Sequence, residues 1–258
     1  MTQWVTLFQK EIVENWRNFK WIWVPLIFIL IAIMDPLTMY YMPVLLEYGG
    51  GMPEGAVFDI PTPSTNEVIM MSVGQLNTIG IVVLILMSMG TIANERKSGV
   101  LELTLVKPVS ISSYITAKYL ALVSILIASL GIAFSIHWYY VNLLFDPVPI
   151  TNMLYVMLFL TIWYIFIAAF VILYNTLTSS AGVVAALSIG TVIILSVVSS
   201  TFSKYLVWSP ANIPDLIQKM LYTSSIPFDL VMATGISLII TIACLWMSVI
   251  CMQLKEIS

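Results

Sequence analysis

The sequence predicts an all-α integral membrane protein with six transmembrane helices, and three observations carry that reading. Of 258 residues, 60% are hydrophobic and only 9% are charged, against roughly 25% charged in a soluble domain. Mean hydropathy is +1.01. The apolar residues gather into six runs, each about 20 residues or more, which is enough to cross a hydrocarbon core near 30 Å. So much apolar surface exceeds what one soluble core of this size can hide. The composition excludes disorder, collagen and a small disulfide scaffold. A net charge of −3 and a pI near 5.0 give no basis for a nucleic-acid partner.

The runs lie at about Trp21 to Pro43, Val68 to Ala93, Tyr114 to Val141, Met153 to Tyr174, Ala181 to Phe202 and Leu230 to Met252. They lack barrel-strand alternation and are about twice a barrel strand's length. Helices are then the way to satisfy the backbone in lipid. Lys10, Arg17, Lys20, Arg96, Lys97, Lys107, Lys118 and Lys255 fall on one side of six such spans, and only Lys204 and Lys219 on the other. The positive-inside rule then makes both termini cytoplasmic in a multi-pass protein of the cell membrane. Glu47, Glu54, Asp59 and Glu67 in the first outer loop agree, as do the aromatic residues near span ends, Trp21, Tyr40, Trp138 and Trp208 among them. The whole chain, 1–258, is one six-helix transmembrane domain. Glu11 and Glu14 and the length of the first span argue against a cleaved signal peptide. Cys244 and Cys251 lie seven apart on one helix, roughly 10 Å in rise, beyond disulfide reach.

Three segments are more than spans or plain loops. In residues 1–20, Trp4, Phe8, Ile12, Trp16 and Phe19 recur at helical spacing opposite Lys10, Glu14 and Arg17, with Leu7 out of pattern. This predicts an amphipathic interfacial helix, an elbow leading into the first span. Residues 204–227 hold Ile213, Leu216, Ile217, Met220 and Leu221 at helical spacing, an outer helix that either re-enters the membrane or lies on its surface. Residues 94–113, between spans two and three, carry the densest charge in the chain. Gly99 offers a helix stop, Val100 to Val106 is a short apolar run broken by Glu102, and Pro108 ends it before a cap at Ser110 or Ser112. A loop that only reverses the chain needs neither the apolar residues nor charges of both signs. Such a segment suits a soluble docking partner.

Few polar groups lie inside the spans. Asp35 either lines a path or binds a proton, or it marks where Pro36 frays the first span near the outer surface; the second is the expectation. A carboxylate at mid-membrane costs about 2.5–3.5 kcal/mol on insertion scales. Asp229 is placed to cap span six. His137 is the one histidine and makes no metal site by itself. Ser179 and Ser180 lie a membrane away from it, so no serine–histidine pair forms. No catalytic or metal-binding residue is assigned, and the chain is not expected to be an enzyme. Gly182, Ala186 and Gly190 in span five, and Ser124, Ala128, Gly131 and Ser135 in span three, allow close helix approach. Packing within one chain is the expectation for both, and a dimer contact through span five the alternative.

The run Glu95 to Ser110 with Lys118 resembles the signature of the ABC type-2 permeases, the membrane subunits of ATP-driven exporters. The matching positions are Glu95, Arg96, Gly99, Leu101-Glu102-Leu103, Pro108-Val109-Ser110 and Lys118, with Val100 where threonine is common and Ile111 where arginine is common. The resemblance implies a short coupling helix seated on a separate ATPase, with Glu95, Arg96, Lys97, Gly99, Leu101, Glu102, Leu103, Lys107, Pro108 and Lys118 as coupling residues. It implies two ATPase copies holding ATP and Mg²⁺, and a second permease half that is either an identical chain or a paralogue. It also implies export of a hydrophobic or amphiphilic substrate such as a drug, peptide or lipid. The chain has no G-x-x-x-x-G-K-[ST], the phosphate-cradling loop such an ATPase would supply. On this reading, charge reversal at Glu95 and Arg96, or Gly99→Val, uncouples ATPase from transport, and Asp35→Asn has a modest effect. The alternative is an ion-coupled secondary transporter with Asp35 as its coupling group. A scaffold or immunity protein that moves nothing is a third reading.

Overall fold

A computed structural model of the chain describes residues 3–48, 63–100 and 110–256. Every regular element among them is helical. Helix α1 spans Gln3–Arg17 and α2 spans Lys20–Tyr48. The second span is built in pieces: α3 Thr65–Gln75, a π-helical turn Leu76–Gly80, α4 Ile81–Ser88 and α5 Ala93–Lys97. Then come α6 Ile111–Leu144, α7 Ile150–Leu177, α8 Ala181–Thr201, a short 3₁₀ turn Pro210–Asn212, α9 Ile213–Thr223 and α10 Phe228–Glu256. Six of these helical stretches are long and apolar enough to cross a membrane. The protein is an all-α, multi-pass integral membrane protein. The start of α1 and the end of α10 mark the termini face of the bundle, and the opposite end is the far face.

Apolar burial does not drive helices together in lipid; close packing and polar contacts do. Helix α7 is central and buries Trp163, Tyr164, Phe166 and Ile167. Trp163 stacks on Phe166 at 5.4 Å, and Phe28 of α2 meets Tyr164 edge-on at 5.8 Å. Several hydroxyls inside the spans are satisfied by their own helices. Ser129, Ser188, Ser237 and Ser248 each donate to the carbonyl four residues back, at 2.7 Å.

Pro36 does not fray the first span. Helix α2 runs through Pro25, Pro36 and Pro43 to Tyr48. A proline removes the donor for the carbonyl four residues earlier, which for Pro36 is Ala32. His137 Nδ1 lies 2.6 Å from that carbonyl oxygen and donates to it from α6. A histidine in a third-span position thus repairs a first-span proline, and tertiary contact overrides local propensity.

The π turn in span two is held from α7. Tyr164 donates from its hydroxyl to the Leu76 carbonyl at 2.8 Å, and Trp163 Nε1 donates to Asn77 Oδ1 at 2.9 Å. Gly80 is required there, because a Cβ on it would lie 2.1 Å from the Tyr164 oxygen. Tyr164 is fully buried and its hydroxyl is committed, so it has no room to yield. Gly80→Ala is expected to destabilise by about 1–3 kcal/mol, the usual cost of overpacking. Tyr164→Phe in the same chain removes the clashing oxygen and should return part of that loss. Thermal unfolding of the two single variants and the double variant checks this; equal, additive losses would refute it.

At the far face, Ser64 and Glu67 form a reciprocal capping box that opens α3. Asp229 lies within the first turn of α10 and not at its cap, and pairs loosely with Lys219 at 3.9 Å. Helix α9 buries Ile213, Leu216, Ile217, Met220 and Leu221. It packs on α7, α10 and α3, so its apolar face meets the protein rather than lipid. The small residues divide. Gly131 of α6 packs toward Met157 of α7, with 3.6 Å to a Cβ placed there. Gly182 and Ala186 of α8 are exposed, and Gly190 has open space beside it. Packing within the chain therefore does not account for the span-five stripe.

Candidate functional site

The site lies at the termini face, where α1, α5 and the start of α6 converge. In α1 the inward stripe is Leu7, Glu11 and Asn15, at i, i+4 and i+8. Glu11 and Asn15 are buried and Leu7 packs on the core, while Trp16 and Phe19 are exposed. Of the apolar face expected to lie in the interface, Trp16 and Phe19 point away from the protein, while Trp4, Phe8 and Ile12 are half-buried. Trp4 and Phe8 stack at 5.3 Å, and Trp4 Nε1 donates to Thr116 Oγ1 of α6 at 3.1 Å. Phe19 adopts a left-handed φ of 57° and forms the joint between α1 and α2. That conformation is costly for a bulky side chain and marks the elbow.

Lys118, about two turns into α6, is the centre of the site. Its side chain is 1% exposed, with Nζ 2.8 Å from Glu11 Oε1 and 3.0 Å from Glu95 Oε1. It also lies 5.1 Å above the ring of Tyr114. Lys10 approaches the same carboxylates from the rim, 2.8 Å from Glu95 Oε1, 3.2 Å from Glu11 and 3.3 Å from Glu14. Tyr114 donates its hydroxyl to the other oxygen of Glu95. Burial works against the charge on Lys10, but the hydrogen bond to Glu95 and the fields of Glu11, Glu95 and Glu14 outweigh it and raise its pKa above the usual lysine value. Charges this buried need partners on all sides, and here three elements supply them.

Oxygens of Glu11, Glu14 and Glu95 lie within 4.8 Å of one another, a spacing that would suit a metal ion. The two ammonium groups already occupy that space, so the arrangement is an ion-paired lock. Its chemistry is mechanical: it fixes the elbow to both ends of the segment between spans two and three.

The break in span two is held by Asn175, which is fully buried near the end of α7. Its Oδ1 accepts from the backbone N–H of Ile92 and of Ala93, each at 3.1 Å. Its Nδ2 donates to the carbonyls of Ser88 and Val171, at 3.2 and 2.9 Å. This one side chain caps α5, which has no cap of its own.

The candidate coupling residues fall into three groups. Glu95 and Lys118 are brought together in the lock. Arg96 turns to the bundle and donates to the Thr176 carbonyl at 3.0 Å. Lys97 is exposed, and Gly99 has a left-handed φ of 73° in open space, as a helix stop requires. Leu101, Glu102, Leu103, Lys107 and Pro108 lie outside the described residues. Ser110 caps α6, accepting from the Ser113 amide at 3.2 Å. Asp35 is far from this site along the first span. It is 6% exposed, and accepts from Ser72 Oγ at 3.0 Å and Gln75 Nε2 at 2.6 Å.

Sequence reasoning missed Glu11, Tyr114 and Asn175 as functional positions. Leu7 was the signal for Glu11, because the residue that spoiled the outward pattern begins the inward one. The asparagine that follows the apolar run Ile165 to Tyr174 was the signal for Asn175.

No family model matches the chain. Over 209 residues it is 34% identical to the uncharacterized transmembrane protein YxlG of Bacillus subtilis (strain 168), an alignment that covers 81% of each chain.

Proposed function

The chain belongs to the family of the uncharacterized transmembrane protein YxlG, and we propose that it is the membrane permease subunit of an ABC exporter. The reading has the termini face in the cytoplasm of a cell-membrane protein. A separate ATPase, in two copies, binds the segment between α5 and α6, and a second permease half completes the transporter. The substrate is hydrophobic or amphiphilic.

The observation that carries this reading is the Lys118 lock. A passive loop between two spans needs no fixed base. Here the segment leaves α5 through Lys97 and Gly99 and re-enters α6 at Ser110, and both roots are tied to α1 through Glu95, Glu11 and Lys118. A partner that displaced the segment would move the elbow and spans two and three together. ATP binding can drive such a switch only if it favours one of the two positions.

Because Glu95 is buried in the lock and Arg96 faces the bundle, reversing their charges would disturb the base as well as any docking. Lys97→Glu tests docking without touching the lock, because Lys97 is exposed and lies outside its ion pairs. In a mild-detergent purification of the tagged chain from its native membrane, a Walker-motif ATPase is expected with the parent and reduced tenfold or more with the variant. If no ATPase accompanies the parent under conditions that keep other transporters intact, the permease reading fails. The second reading, an ion-coupled carrier, has the buried Asp35 in its favour. It requires transport that follows an ion gradient without any soluble subunit.

A further inference from the structure

We infer that Asp35, with Ser72 and Gln75, recognises the positive charge of a lipophilic organic cation, a substrate class for the permease proposed above. This inference rests on that permease reading for its transport role.

Asp35 lies fifteen residues into the Lys20–Leu45 span, roughly 22 Å along it at 1.5 Å per residue. Its carboxylate meets only neutral donors, the Ser72 hydroxyl and the Gln75 amide. Among the described residues no basic side chain pairs with it. The neighbouring titratable group is His137, whose Nδ1 is spent on the Ala32 carbonyl. Its Nε2 is buried without a partner, so a second proton there would be an orphan donor. The ring is neutral and supplies no counter-charge. A carboxylate accepts about four hydrogen bonds; two are used, which leaves lone pairs for a cation.

The exposed face of span two beside this carboxylate is mixed: apolar Met71 and Ile79 stand among small and polar positions, which suits a cation with an apolar body. Gly74 and Thr78 are exposed and Gln75 is half-buried, at the i, i+1 and i+4 positions of one face of span two. A Cβ on Gly74 would meet nothing within 4 Å. Ionisable and polar groups at this depth face water or protein, seldom lipid. The π turn Leu76–Gly80 begins directly after Gln75, and such turns favour functional sites because they re-aim the side chains beside them. The site thus offers one negative charge, no competing cation, and an open shoulder at Gly74.

Equilibrium binding of radiolabelled tetraphenylphosphonium to the purified chain in phosphatidylcholine nanodiscs tests the inference, with tetraphenylborate as the anionic control of equal size. Saturable binding of the cation alone is expected. Asp35→Asn should weaken it tenfold or more, and Asp35→Glu, which keeps the charge, should hold it within threefold. Gly74→Leu leaves the carboxylate intact but fills the shoulder, and should also weaken binding tenfold. Helical circular dichroism checks that each variant is folded. No saturable cation binding, or binding equal in Asp35→Asn, overturns the inference. Neither result bears on the ATPase co-purification, so the permease reading stands or falls separately.

Discussion

Lys118→Met is expected to lower the unfolding free energy by about 3–5 kcal/mol, the cost of breaking a buried ion pair from one side. Methionine keeps most of the volume, so the loss is electrostatic. Glu11 and Glu95 would then face each other with Lys10 as the cation left in the lock, and Lys10 is 41% exposed and screened by water. The melting temperature in detergent should fall by on the order of 10 °C. Adding Glu11→Gln to Lys118→Met removes one of the stranded charges and should recover part of the loss. A melting temperature for Lys118→Met within about 2 °C of the parent would mean that the lock does not hold the elbow.

The six spans were legible because composition and run length report the bilayer directly. The site was legible only in part, and the reasons differ by residue. Helix α1 was identified correctly by its period, but its inward face was not. Periodicity ranks faces by apolarity, and α1 turns Trp16 and Phe19 outward while pressing Glu11 inward onto Lys118. Pro36 read as a place where the helix loosens because local propensity knows nothing of His137, which lies 101 residues on in the chain. The Gly182–Ala186–Gly190 pattern was real as a pattern, yet spacing cannot tell a helix neighbour within the chain from open surface. Glu95 and Lys118 could be named from sequence, but their pairing runs through a third residue, Glu11, on an element that the motif does not contain. In each case the missing information is a contact between distant segments.

Asn175→Leu should have a comparable effect by a different route. Leucine keeps the branching and heavy-atom count of asparagine but accepts nothing, so the amides of Ile92 and Ala93 lose their acceptor in an apolar interior. Each stranded group costs about 1–3 kcal/mol. The chain has one way to escape part of that cost. The Ile92 amide can turn to the Ser88 carbonyl four residues back, which heals the turn between α4 and α5 into continuous helix. Healing changes the direction in which α5 presents its side chains, and Glu95 would swing away from Lys118. The two variants should then fail to add: in an Asn175→Leu background, Lys118→Met should cost well under half of what it costs in the parent. Residues in one network couple by about 0.5–3 kcal/mol, while independent sites add within about 0.5 kcal/mol. A double-mutant cycle on thermal unfolding reads the difference. If the two losses simply sum, the break in span two does not aim Glu95, and Asn175 is only a cap. If they couple, the asparagine sets the geometry of the lock, and the segment beyond Gly99 leaves the membrane in a direction fixed from α7.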